Sequence, residues 1–147
     1  MNDPLYRKAL LRLAADATGA GGLPDPDVTA SRANPACGDH VTMQAMLADG
    51  RITAVGHHTK ACILTQASAA LLAGHAMGLD RRGVFVLRAQ VAAMLKGAFA
   101  PMPPFEAYGE FEGAAQHHGR HICVLLPIDA LLAALETGEP GGAGTQA

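Results

Sequence analysis

Apolar positions along this chain follow two rhythms, one of period two and one near 3.6, and the places where they change divide it into elements. Leu5, Ala9, Leu10, Leu13 and Ala14 return at helical spacing, with Arg7, Lys8 and Arg12 on the other side and Pro4 suited to a first turn. A short amphipathic helix is predicted there. Gly19 to Asp27 is rich in Gly, Pro and Asp and carries no periodicity, which predicts a loop. After Asp39, Val41, Met43, Ala45 and Leu47 alternate with Thr42, Gln44 and Met46 as far as Asp49-Gly50, and Ile52-Thr53-Ala54-Val55 then resumes. Asp-Gly favours the tight type I′ turn of a hairpin, so two antiparallel strands are predicted.

The second half of the chain reads as helical. Ala61 to Met77 is too long and too rich in Ala and Leu for a strand and predicts a buried helix with Cys62 in its first turn. A second helix runs from a cap at Asp80 to Lys96, with Val84, Leu87, Val91, Met94 and Leu95 on its apolar face. Pro101, Pro103 and Pro104 interrupt the chain, Glu106 to His118 reads as a short helix or irregular segment, and Cys123 to Leu135 returns to helical spacing. The expected fold is α+β, a small antiparallel sheet with helices packed on one face. Residues 1–136 are expected to form a single domain, and 137–147, with Pro140 and four glycines, a flexible tail.

Composition narrows the classes of function. With 147 residues, half of them apolar, the chain can bury one core. Charged residues make up 16% and the net charge is −2, so no basic footprint points to nucleic acid or an anionic membrane. No window reaches the roughly 18–20 uninterrupted apolar residues of a membrane span, and Met1-Asn2-Asp3-Pro4 lacks a signal-peptide layout, so a cytoplasmic protein is expected. Three cysteines, an odd number without close pairing, fit reduced thiols better than a disulfide framework.

The candidate chemistry gathers around those cysteines. Asn34-Pro35-Ala36-Cys37-Gly38-Asp39 sets a thiol and a carboxylate two residues apart on a tight turn; Cys62 follows 25 residues later and Cys123 another 61 after that. Each falls at an element boundary, where side chains from separate elements can meet at the rim of a core. Three thiols and one carboxylate suit Zn²⁺ or iron-sulfur chemistry rather than Mg²⁺ or Ca²⁺. A helix start also lowers the pKa of a thiol such as Cys62. The competing reading for any one cysteine is a small buried hydrophobe. His121 and His40 stand close enough in sequence to approach a metal or shuttle a proton, whereas the pairs His57-His58 and His117-His118 read as solvated. Arg120 can steer an anionic sulfur species or cap the helix.

These residues resemble the IscU/SufU/NifU-N-terminal family of iron-sulfur cluster assembly proteins. Asn34-Pro35-Ala36-Cys37-Gly38-Asp39 is similar to the family's first motif, Ala61-Cys62-Ile63-Leu64-Thr65-Gln66-Ala67-Ser68 to its second, and Arg120-His121-Ile122-Cys123 to its third. The segment containing Tyr108-Gly109-Glu110-Phe111-Glu112, and Ile122 in place of a histidine before the third cysteine, resemble the SufU branch. The chain departs from the family at Ala61, where Gly is usual, and at Leu64 and Thr65, where a small polar pair is usual. The resemblance implies a site of Cys37, Asp39, Cys62 and Cys123 that holds Zn²⁺ or a transient iron-sulfur cluster. It implies a scaffold, a sulfur acceptor, or both, with Cys37 or Cys123 as the receiving thiol. The implied partners are a cysteine desulfurase and apo iron-sulfur acceptor proteins, with neither nucleic acid nor membrane.

Two readings from other classes stand beside it. In a thiol enzyme, Cys37 or Cys123 would be the nucleophile, a nearby histidine the base and Asp39 its orienter. In a structural zinc module the site would be saturated, neither exchanging metal nor accepting sulfur.

Overall fold

The computed structural model describes residues 6–36 and 38–138. Among these the elements follow the order α1 (Lys8–Asp16), β1 (Val28–Asn34), β2 (Asp39–Ala48), β3 (Arg51–Lys60), α2 (Ile63–His75), α3 (Arg81–Met94), a 3-10 segment (Glu106–Gln116) and α4 (His118–Gly138). The strands form an antiparallel meander in the order β1-β2-β3. Helices α2 and α4 lie against the sheet, α1 packs on α2, and α3 packs on α4.

The alternation in β2 explains why one face of the sheet is covered. Val41, Met43 and Ala45 are buried, and the intervening residues are exposed or half-buried. Asp49 and Gly50 have φ of 53° and 77°, both in the left-handed region that a type I′ turn requires, and Ala48 pairs with Arg51 across it. The register then slips, so that Met46 faces Ala54 but Leu47 faces Ile52. This bulge lets Ile52 and Val55, three residues apart, both enter the core.

Several elements differ from the sequence expectation. Strand β1 was not predicted. Its middle residues are exposed or half-buried and only its ends, Val28 and Asn34, are buried, so it has no apolar alternation to announce it. Helix α2 begins at Ile63, which makes Cys62 its N-cap rather than a first-turn residue. Helix α3 has the expected cap: Asp80 Oδ1 accepts from the Gly83 amide at 2.8 Å. Glu106–Gln116 is 3-10 helix, and Tyr108 and Phe111 within it are fully buried with stacked rings. Helix α4 begins five residues before Cys123 and continues to Gly138. Its length and apolarity are those of a membrane span, yet 61% of that window is buried inside the fold. Pro4 and most of the proposed tail lie outside the described residues.

Candidate metal and sulfur site

The meander, α2 and α4 converge at one corner of the sheet. Asn34 ends β1 and pairs with Asp39, which begins β2. The connection between them is tied by Asn34, whose carbonyl accepts from the Gly38 amide at 2.8 Å and whose Oδ1 accepts from the Ala36 amide at 3.1 Å. Gly38 has φ of 76°, so the turn needs a residue without Cβ immediately before the carboxylate. Cys37, at the tip of this turn in sequence, lies outside the described residues.

Asp39 is buried and points at the start of α2. Its Oδ1 accepts from the Cys62 amide and its Oδ2 from the Thr65 hydroxyl, each at 3.2 Å. The carboxylate thus serves one of the amides that a helix N-terminus leaves without an internal partner. Cys123 enters from α4 and is 2% exposed, while Cys62 is half-buried. Ligand atoms of Asp39, Cys62 and Cys123 all lie within 4.8 Å of one another, and both thiols are free.

Helix α4 carries Pro127 in its interior. Proline has no N–H to return to the carbonyl four residues earlier, which is that of Cys123. Thr65 supplies a substitute, donating to the Cys123 carbonyl at 3.0 Å, and one turn further along α2 Ser68 donates to the Val124 carbonyl at 2.7 Å. The buried Tyr108 hydroxyl closes the second contact, 3.0 Å from Ser68 Oγ. From sequence Thr65 was noted only as a departure from the family, and Ser68 and Pro127 were given no role; the available signal was a proline four residues after a candidate ligand and two hydroxyl residues three apart on a mostly apolar helix.

The electrostatics favour one thiolate. A hydrogen bond from Cys123 is the main cause lowering the Cys62 pKa from 9.0 to about 5; burial opposes the shift, and the Thr65 amide and hydroxyl and Arg120 assist it. The same hydrogen bond, with burial, raises the pKa of Cys123. The two sulfurs therefore titrate as a pair sharing one proton, and the hydrogen bond between them favours the thiolate at Cys62. Burial works against the Arg120 charge, but hydrogen bonds to Tyr6 and to the Cys62 and Cys123 sulfurs outweigh it and raise its pKa. Arg120 is held over the Tyr6 ring, 5.9 Å from its centre, and donates to the Tyr6 hydroxyl at 3.2 Å.

The histidines lie elsewhere. His40 is exposed on β2, and His121 donates from Nε2 to the Ala115 carbonyl at 3.0 Å with its ring against His118. The groups that act on the Cys123 thiol are Cys62, Arg120 and Asp39. His57, expected to be solvated, is buried: Nε2 donates to the Thr18 carbonyl at 2.8 Å and Nδ1 lies 2.8 Å from the Thr59 hydroxyl. Burial is the main cause that lowers its pKa below 6.5.

This donor set fits a soft or borderline metal. Thiolates at ~2.3 Å from a tetrahedral zinc stand roughly 3.8 Å apart, and the three ligand atoms already lie within that order of separation. A carboxylate joined to sulfur ligands suits zinc or iron better than magnesium.

The sequence and the fold both have known relatives. Over 93 residues the chain is 28% identical to the iron-sulfur cluster assembly scaffold protein IscU of Thermotoga maritima, covering 63% of this chain and 66% of that protein, just under two thirds of its length. The crystal structure of a nitrogen-fixing NifU-like protein (N-terminal) from Brucella abortus superposes with a TM-score of 0.87 at 31% identity, covering 93% of this chain and 96% of that one. A SUF-system scaffold protein from Fervidobacterium islandicum AW-1 has the same fold, with a TM-score of 0.79 at 19% identity over 92% of this chain and 99% of that one. Residues 5–108 match the model of the NifU-like N terminal domain. Cys123 lies beyond that stretch and reaches the site through the fold. With well over half its length matched to that domain, the chain belongs to the NifU-like N-terminal domain family, a family of iron-sulfur cluster assembly scaffolds.

Proposed function

We propose that this protein acts in the cytoplasm as an assembly site for iron-sulfur clusters, with Cys37, Asp39, Cys62 and Cys123 holding the cluster as cargo before it passes to apo-acceptor proteins. The observation that carries the reading is the convergence of Asp39, Cys62 and Cys123 within 4.8 Å, from the sheet and two helices. A carboxylate among thiolates is the harder and more readily displaced ligand, which suits a cargo that must leave. When bound in place of a cluster, Zn²⁺ would keep the same thiols deprotonated and shielded.

Sulfur would come from a cysteine desulfurase. A thiolate of this chain attacks the outer sulfur of the desulfurase persulfide, the S–S bond breaks, the desulfurase cysteine leaves as a thiolate, and the persulfide now resides on this chain. The family resemblance points to Cys37 or Cys123 as the receiver, but Cys123 is buried with its pKa raised, which leaves Cys37 and, of the described thiols, Cys62. Cys62 is the more exposed and the more acidic of the two described thiols, and the Arg120 cation stands beside it. That supports a second reading, a zinc-dependent sulfur carrier that builds no stable cluster.

The deciding experiment measures iron, zinc and acid-labile sulfide in anaerobically purified protein, before and after incubation with a cysteine desulfurase, cysteine and Fe²⁺. A cluster that forms and moves to an apo-acceptor is the expected result, and Ser at Cys37, Cys62 or Cys123 should each reduce metal retention. Stoichiometric zinc with persulfide uptake and no cluster establishes the sulfur carrier instead. Zinc that neither exchanges nor accompanies sulfur uptake identifies a structural module and overturns both.

A further inference from the structure

We infer that Thr65 is a positioning residue for the Asp39 carboxylate, and that Pro127 is the reason its hydroxyl has a second duty. This inference rests on the metal-site reading above. The hydroxyl carries one proton and meets two oxygen acceptors, Asp39 Oδ2 at 3.2 Å and the Cys123 carbonyl at 3.0 Å, with the Cys62 sulfur farther off at 3.6 Å. The second acceptor needs a donor from outside α4, because residue 127 offers no N–H to residue 123. Thr65 is fully buried and β-branched, so it has few other rotamers in which to seek partners.

One proton therefore links two ligand-bearing elements. While it serves Asp39, the carboxylate is fixed between the Thr65 hydroxyl and the Cys62 amide, which faces the other oxygen at 3.2 Å. While it serves the Cys123 carbonyl, that restraint on Asp39 is released and the backbone of the third cysteine is held instead. A ligating carboxylate is oriented by such partners, and their removal lowers metal affinity about tenfold or more.

The test follows zinc passing from the loaded protein to a coloured chelator. Thr65→Val keeps the shape and removes the proton, and should release zinc about tenfold faster; Thr65→Ser keeps the proton and should stay within about threefold of the parent, since only rotamer freedom changes. In an Asp39→Ala background Thr65→Val should add much less than it does in the parent, because the carboxylate it orients is gone and only its contact with the Cys123 carbonyl is left to lose. Pro127→Ala gives the Cys123 carbonyl a helix donor, so Thr65→Val in that background leaves no buried carbonyl unpaired and carries the comparison if the single variant fails to fold.

Zinc release unchanged by Thr65→Val, in a parent that binds zinc, overturns the inference alone. So does an effect of full size in the Asp39→Ala background, which would place the action of Thr65 on Cys123 instead. In a parent that holds a cluster but no zinc, the same comparison is read from iron passing to the chelator, and a parent that retains neither overturns the metal-site reading and this inference with it.

Discussion

Thr65 and Ser68 stand one turn apart on α2 and perform the same local task, yet they belong to two different kinds of environment. Each hydroxyl donates to a carbonyl of α4, at residues 123 and 124 respectively. Around Ser68 the remaining capacity is taken by Tyr108, which is fully buried and also lies 3.3 Å from the Ser68 carbonyl. Around Thr65 it is taken by a carboxylate, with the Cys62 sulfur 3.6 Å away. The difference lies in the neighbours. Neutral partners make a closed contact that only holds helices together, whereas ionisable partners make one that can exchange protons and ligands.

The largest expected effect tests whether the Ser68 side is purely structural. Tyr108→Ala should cost about 3–5 kcal/mol by the loss of a buried aromatic, and Ser68→Ala about 1–3 kcal/mol by leaving buried polar partners unpaired. Both are read from urea unfolding of metal-free protein, and in protein that still folds zinc release should stay within about twofold of the parent, because neither residue touches the sulfurs. A Ser68→Ala protein that loses zinc as fast as Thr65→Val would erase the distinction.

An intermediate effect sharpens the Thr65 side. With its pKa lowered to about 5, Cys62 of metal-free protein should react with iodoacetamide at a rate nearly constant from pH 8 to 6, falling below about pH 5 as the thiolate is protonated. Replacing Cys123 by Ala removes the main cause of the shift, so the rate at pH 6 should drop by about tenfold or more. Mass spectrometry of the alkylated peptide makes the assignment, and equal rates at pH 6 would refute the shared proton.

The smallest effect extends the comparison to a third buried donor. His57 also supports a backbone carbonyl, that of Thr18, but unlike either hydroxyl it titrates. Its folded pKa is lowered, so the unfolded chain takes up the proton first: the stability it contributes is present above about pH 6.5 and is lost as pH falls from there through the lower folded pKa. The difference in urea midpoint between pH 7.5 and 5.5 should be smaller in His57→Gln than in the parent; an equal difference would assign the pH dependence to other groups.

Much of this arrangement is legible in the residues, for unequal reasons. The hairpin at Asp49-Gly50, the capped α3 and the buried α2 announce themselves because turn chemistry, cap and apolar spacing agree there. Strand β1 does not, since an edge strand buried only at its ends has little patterning to show. The motif residues Asp39, Cys62 and Cys123 were found by their types and surroundings. Thr65 was noted only as a departure from the family, because its role depends on which carbonyl of α4 lacks a donor, a fact of packing between residues 58 apart. His57 misled for a related reason: a histidine pair on a strand places one ring on each face, and composition cannot say which is covered.

The direction of α4 has a practical consequence for handling the protein. The helix begins beside the sulfurs and runs 15 residues from Cys123 to Gly138, about 22 Å at ~1.5 Å per residue. Tyr6, by contrast, touches Arg120 directly. A purification tag or fluorophore joined after Gly138 would therefore be attached well away from the reactive corner, and one joined just before Tyr6 would crowd it.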